Sequence, residues 1–463
     1  MKYRHLAILL VLGFIILEDS TAQLAAADAD SVTVAADGSG QYKTVQEAVT
    51  AAPNDRETRF TIHIKPGVYR EVVVVPKNKP HLAFVGGSAE NTKITFDNGA
   101  NTTGPDSKPL GTFKTQTVQI EADDFHAENI TFENGADRRK LGQAIALFTN
   151  GDRLVFRKCR ILGAQDTLFA RAGRQYFEEC YIEGEVDYIF GGAVAWFEKC
   201  TIHSKSDGVI TAASTDAAEP YGYVFSNCTI TSSPSAKFDL GRPWLPNASV
   251  NFLNCVMPAG VSPNGWGNFG NAANEKTARY GEYGSKSPDA KPIDVARRAP
   301  WTKQLTAEQA SKITVAEVFR KAHEPWDPTK SSAEQSSQAI RLTAKAAKIV
   351  GSNAKLNDAG TLGWWTNIDT SFEWTATLEP GVYTVGVSYA LAPDQGTTDL
   401  VIRVGDKALA STVAPTVYWD DYKAASFGEV TIDKTSQVTI SLAATAHKGR
   451  FLGDIKSVSL AKK

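Results

Sequence analysis

Histidine, methionine and cysteine are scarce in this chain of 463 residues, which holds seven, two and five of them. No Cys/His cluster has zinc-ligand spacing, so no structural or catalytic metal is expected. Charge of one sign is also missing: 49 Lys and Arg face 51 Asp and Glu, and 49 − 51 = −2. A dedicated nucleic-acid binder would show a basic excess or stripe, so no nucleic-acid partner is expected. There is no Gly-x-Ser-x-Gly elbow, which excludes the usual serine esterase on an α/β-hydrolase sheet. No dinucleotide fingerprint or phosphate loop opens a βαβ unit, and no cofactor is expected. The apolar run at residues 6–17 has twelve residues, too few to span a bilayer comfortably as a helix.

That run has another meaning. Lys2 and Arg4 precede it, and small residues follow at Ser20-Thr21-Ala22 and Ala25-Ala26-Ala27. This is the layout of a secretory signal peptide, assigned to residues 1–27. The mature protein is therefore expected outside the cytoplasm, extracellular or periplasmic, with no membrane attachment after cleavage. The remaining length is too great for one ordinary core and implies two domains.

A repeat organises the first of them. Phe-x-x-Cys-x-Ile/Met occurs at Phe156–Cys159, Phe177–Cys180, Phe197–Cys200, Phe225–Cys228 and Phe252–Cys255. Successive cysteines are 21, 20, 28 and 27 residues apart. A sixth copy is read at Phe125-His-Ala-Glu128-Asn-Ile130, with Glu in the Cys position. Repeats of this length, alternating rather than helical, predict a right-handed parallel β-helix with one coil per repeat. Identical positions then stack about 4.8 Å apart. In an exported protein cysteines normally pair. Stacked parallel side chains point the same way, however, whereas a disulfide needs them to converge. A buried ladder of free thiols is the favoured reading. The longer repeats at 200–228 and 228–255 are expected to carry loops over one face, where a cleft can be built.

Asp166 and Asp187 each lie seven residues after a repeat cysteine, Cys159 and Cys180. Equal offset puts both carboxylates on one face, and two so close cannot both ionise easily. One acid and one nucleophile or base then arise from the same residue type. Asp207, seven residues after Cys200, continues the series and leaves a merely solvated Asp ladder as an open alternative. Gln143 and Gln165 offer neutral amide donors for an ester or amide oxygen that gains charge. Arg242, in Leu240-Gly-Arg-Pro-Trp244, could pair with one carboxylate, and Trp244 could stack on a sugar; a plain ion pair and a core tryptophan are the alternatives.

These segments stand in the order of a known family. Gly67-Val-Tyr-Arg-Glu71, Gln143-Ala-Ile-Ala-Leu147, Gln165-Asp-Thr-Leu168, Asp187-Tyr-Ile-Phe-Gly191 and Leu240-Gly-Arg-Pro-Trp244 resemble the motifs of the pectin methylesterases, the pectinesterase family. Gly265-Trp266 and Tyr280-Gly-Glu-Tyr283 fit its later part. Ile145, Tyr188 and Phe169 depart from the commoner Val, Phe and Tyr. The resemblance spans residues 31–328 and implies hydrolysis of the methyl esters of polygalacturonate, giving demethylated pectin and methanol. It also implies roles: Asp187 as nucleophile, Asp166 as acid and then base, Gln143 and Gln165 as oxyanion donors, and Arg242 as the partner that orients Asp187. Trp244, Phe169, Phe190 and Thr112 become contacts of the sugar cleft, and Glu71 is read as structural. Pectin (methylated homogalacturonan) is the expected partner, and a monomer is expected.

Residues 329–337 are polar and Ser-rich and read as a linker. Beyond them no cysteine occurs, and alternation appears at Tyr383–Tyr389, Leu400–Val404 and Val438–Leu442. Residues 338–463 are therefore assigned to an antiparallel β-sandwich, jelly-roll-like, making the whole chain all-β. Trp364, Trp365, Trp374 and Trp419 make this part Trp-rich. They could anchor its core or stack on sugars as a carbohydrate-binding module, giving a second polysaccharide contact.

Three other functions compete. An esterase of the same fold could take another acyl substrate. A β-helix lyase would need a calcium-binding carboxylate cluster and a polygalacturonase a third Asp with a His motif, and neither pattern is recognisable. A non-catalytic polysaccharide-binding solenoid would have no use for the Asp166, Asp187, Gln143, Gln165 and Arg242 set.

Overall fold

The Phe-x-x-Cys repeat becomes a double ladder inside a parallel β-helix. In one sheet Phe156, Phe177, Phe197, Phe225 and Phe252 are successive register partners. Their rings stack at 4.5–4.8 Å, within 10° of parallel. The residue before each cysteine (Lys158, Glu179, Lys199, Asn227, Asn254) has a left-handed φ of 49–54°. That single residue turns the chain from one sheet into the next, and the cysteine follows it inward. All five cysteines are free and buried. Each of the last four donates to the carbonyl of the Phe one coil earlier, as Cys180 does to Phe156 at 3.4 Å. The thiols fill the core as small hydrophobes.

The sixth copy is displaced from its expected alignment. Register pairs Ala127 with Phe156, and Asn129, with φ 59°, occupies the turn position. Ile130, not Glu128, therefore stands in the cysteine's place. Ile130 is buried in the same core as the cysteines, whereas Glu128 is half-buried beside the outward-facing Arg157.

The computed structural model describes residues 30–320, 326–330, 339–357, 360–416, 419 and 422–463. The expected signal peptide and residues 331–337 of the expected linker lie outside these. The coils form an 11-stranded and a 12-stranded sheet. The second sheet holds two faces of the solenoid, because the long strands Tyr181–Gly191 and Thr201–Ala213 bend across both. A helix, Val45–Ala51, closes the N-terminal end, capped by Thr44 and Glu47 as a reciprocal box. Glu71 accepts from the N–H groups of Val45 and Gln46 at 2.8 and 2.9 Å. It occupies the positive end of that helix, so its role is structural.

Beyond Ala339, six-stranded and five-stranded antiparallel sheets pack face to face. Successive strands largely alternate between the two sheets, the crossing pattern of a jelly roll. The alternating residues behave as their period requires: Tyr383, Val385 and Val387 meet Leu400, Ile402, Ile440 and Leu442 in one core. The sandwich rests on the coils through Arg341 with Asp124 (3.9 Å), Thr343 with Glu57 (3.4 Å), and Lys456 with Asp123.

Candidate active site

Register brings the two aspartates together. Leu147, Leu168 and Ile189 are partners in three successive coils. Two residues upstream of each, Ile145, Asp166 and Asp187 form a file along one face of the solenoid. Both aspartates lie in the left-handed region, at φ 64° and 50°, a conformation that Asp and Asn tolerate better than other side chains with a Cβ. The Asp166 N–H donates to the Val186 carbonyl at 3.1 Å, which locks the two turns to each other.

Asp207 does not continue the file, and the solvated-ladder alternative fails with it. Val186 stands two positions after Gly184, but its partner Val209 stands five after Ser204. Asp207 sits in this bulge, exposed, accepting the Lys237 N–H at 2.7 Å. Counting from the cysteine loses register wherever a bulge adds residues to one strand.

Arg242 arrives from two coils further on, in the strand Phe238–Pro243. Phe148, Phe169, Phe190, Ala212 and Arg242 are successive partners in one column. The guanidinium clamps Asp187 with both arms, Nε donating to Oδ1 at 2.9 Å and Nη2 to Oδ2 at 2.6 Å. Short Ala212 lets the Arg242 side chain reach across this coil. Gly241 is needed because a Cβ there would stand 2.0 Å from Thr211 Oγ1. The guanidinium also lies 4.4 Å from the Phe269 ring centre, a cation–π contact. Asp187 is 6% exposed. Asp166 is half-buried, and burial pushes its carboxyl up to about 7. The negative charge of Asp187 adds to that shift, and Arg242 opposes it.

Gln143 and Gln165 are half-buried beside the pair. Their backbone carbonyls accept from Ala100 (2.8 Å) and Ala144 (3.1 Å), so both residues are held by the coil. Among the described residues neither side-chain amide makes a hydrogen bond, which leaves their N–H groups to whatever enters. The aromatic residues divide by depth. Phe169 and Phe190 are buried and stacked 4.3 Å apart, forming the floor. Trp244 is half-buried, 6.0 Å from Phe190, and forms a wall.

Two residues escaped the sequence reading. The short turn Thr112–Lys114 puts Phe113, next to the expected Thr112, against the rings. It lies 5.5 Å from Phe169 and 6.4 Å from Trp244, and is 56% exposed. Phe269, over Arg242, is the second. Both sit in loops, where no periodicity marks a residue; proximity in sequence to Thr112 and to Gly265-Trp266 was the available signal. Trp266 itself is core, donating its indole N–H to Glu282 at 3.0 Å. Among the described residues no group of three or more His, Cys, Asp or Glu could hold a metal ion.

An Asp pair, free amide donors and an aromatic trough are a set suited to acyl transfer on a sugar. The chain is similar to known proteins over the coils that hold this set. The Pectinesterase family model matches residues 31–322. Pectinesterase 31 of Arabidopsis thaliana is 42% identical over 285 residues, 60% of this chain and 89% of that protein. The solved pectin methylesterase from carrot superposes with a TM-score of 0.58 at 34% identity, covering 62% of this chain and 92% of that one. Pectin methylesterase PemA from Erwinia chrysanthemi gives 0.55 at 29% identity, covering 64% and 97%.

Proposed function

Since this chain belongs to the pectinesterase family and is a carboxylic ester hydrolase, we propose that Asp187 and Asp166 divide the hydrolysis of pectin methyl esters as nucleophile and proton carrier. The observation that carries this reading is the asymmetry of the pair. One carboxylate is forked by Arg242, and its neighbour one coil away favours its protonated form.

A galacturonate ring rests against the exposed side of the aromatic cluster formed by Trp244 and Phe113 above Phe169 and Phe190. An Asp187 oxygen bonds to the ester carbonyl carbon, and the carbonyl electron pair moves onto its oxygen. The amide N–H groups of Gln143 and Gln165 receive that charge. As the carbonyl re-forms, the bond to methoxide breaks and the Asp166 proton passes to the leaving oxygen, releasing methanol. Asp166, now a carboxylate, takes a proton from water as its oxygen attacks the acyl carbon. The bond to Asp187 breaks, the galacturonic acid departs and loses its proton to solvent, and both aspartates regain their starting forms.

A second reading uses the same residues, with Asp187 as the base that activates water and no acyl-enzyme. Rapid quenching followed by mass spectrometry separates the two. A peptide containing Asp187 with the added mass of the galacturonyl group is expected; its absence under single-turnover conditions favours base-activated water. Replacing Gln143 or Gln165 by Ala is expected to lower kcat by about 10²-fold or more. The unfolding midpoint should hardly change, because neither amide supports the fold. Loss of stability without loss of kcat would remove them from the oxyanion site.

The remaining proposals concern context. Export follows from the N-terminal segment, and pectin contacts the cleft as a single chain. Measuring methanol, new reducing ends and unsaturated products together on methylated pectin distinguishes this activity from a hydrolase or lyase of the glycosidic bond, where methanol would be absent. The C-terminal sandwich supplies a second polysaccharide contact.

A further inference from the structure

The four tryptophans of the sandwich separate into two kinds. Trp365 and Trp374 are core residues whose indole N–H groups are satisfied by backbone carbonyls, of Asn367 and Thr370 for the first and of Thr343 for the second. Trp364 is 59% exposed and Trp419 is 38% exposed. These two meet at one ring, Phe451, with centroids 6.1 and 5.8 Å away and planes at 82° and 90° to it. Both indoles thus share one support and still keep much of their surface toward solvent.

Trp364 is unusual in a second way, with φ 56°. A bulky side chain in the left-handed region is strained, and here burial does not compensate for it. Its neighbours hold it there: Leu452 N–H donates to the Trp365 carbonyl at 2.8 Å, and a Cβ on Gly363 would meet Asp454 Oδ1 at 2.4 Å. A strained, exposed aromatic on a rigid support is what a stacking platform requires.

Cations border the rings. Lys355 Nζ lies 4.9 Å from the Trp364 ring centre and Arg450 Cζ 5.3 Å from that of Phe451. Among the described residues neither of the two meets a carboxylate. Asp358, Asp420 and Asp421, close in sequence, lie outside those residues, so salt dependence enters the test.

We propose that Trp364, Phe451 and Trp419, flanked by Lys355 and Arg450, form a binding site for galacturonan, the acidic chain that demethylation produces. The rings stack on sugar faces and the cations meet the uronate carboxylates. This rests on the reading of the sandwich as a polysaccharide contact and adds the site and the ligand's charge. It would hold the enzyme on regions that are already demethylated.

The test uses the full chain in affinity electrophoresis through gels containing polygalacturonate, methylated pectin or neutral galactan. Trp364→Gly is the informative variant, because glycine accepts φ 56° without strain. Its affinity for polygalacturonate should fall about tenfold, while its unfolding midpoint stays equal or rises and methanol release from soluble pectin is unchanged. Phe451→Ala should weaken retention similarly, and the Lys355→Ala/Arg450→Ala double variant should abolish the weakening of retention by about 0.5 M salt. Full retention of both Trp364→Gly and Phe451→Ala overturns the site. Retention on neutral galactan alone, lost in both variants, overturns the acidic ligand but upholds the sandwich contact. If Trp244→Ala alone removes all retention, binding belongs to the cleft, and the sandwich reading fails with the site.

Discussion

Asp187→Asn is expected to lower methanol release by about 10⁵-fold or more, the scale on which loss of a nucleophile acts. Asn is the appropriate replacement because position 187 has φ 50°, which Asn tolerates. Its amide oxygen can still accept one of the two Arg242 hydrogen bonds. The fold should therefore survive, with a cost of ~1–3 kcal/mol for leaving the guanidinium incompletely paired. Asp187→Ala should also abolish activity. It pays more in stability, since alanine loses both the left-handed tolerance and every contact to Arg242. Methanol assay with thermal unfolding of the same samples checks the claim. A well-folded Asp187→Asn enzyme with more than about a hundredth of wild-type turnover cannot be reconciled with covalent catalysis by this residue.

Asp166→Asn is expected to separate activity from stability in opposite directions. Removing the proposed proton carrier should lower kcat by about 10²–10⁴-fold. The stability change follows from the raised carboxyl, from 3.8 to about 7, caused first by burial and then by the charge of Asp187. The native state thus holds this proton more tightly than the unfolded chain does. The stabilisation linked to it is complete below about 3.8 and is lost as pH rises through about 7. At pH 8 the wild type carries that penalty in full and the neutral Asn variant does not. A shift of this size corresponds to ~4 kcal/mol as an upper limit, which water penetration and local relaxation reduce to ~1–3 kcal/mol. Urea midpoints at pH 5 and pH 8 should show the variant gaining on the wild type as pH rises. Equal pH dependence of the two would mean that Asp166 titrates normally. For the wild type, kcat/KM should fall above about pH 7 as the acid form is lost, with apparent values that belong to the pair.

Much of this architecture was legible because a solenoid turns sequence spacing into spatial register. The 21-residue step from Cys159 to Cys180 is also the step from Asp166 to Asp187, and no insertion intervenes between those coils. The same ruler failed where coils differ. Asp207 kept its count from Cys200 but left the file, because three extra residues bulge from one strand. The copy at residues 125–130 is offset from its Phe, because what repeats is the left-handed turn before the corner, at Asn129. Phe113 and Phe269 belong to loops whose course depends on the whole surface.

The sandwich illustrates the same division. Alternation at Tyr383–Tyr389 was enough to predict a half-buried strand, and the burial agrees. For the adjacent tryptophans it was not: Trp364 and Trp365 follow the strand Leu362–Gly363, with Trp364 at φ 56°, and the packing around the Leu452 segment makes Trp365 the core residue.

By itself the sequence determined what depends on local period: coils, a thiol ladder, two aspartates at one register, and a second all-β domain. The tertiary structure decided what depends on distance across coils. Arg242 reaches Asp187 over 55 residues of chain, past a single alanine and through a glycine that no side chain could replace. Spacing sets the order of residues along a coil stack. Close approach between coils is set by the volume of every side chain that lies between them.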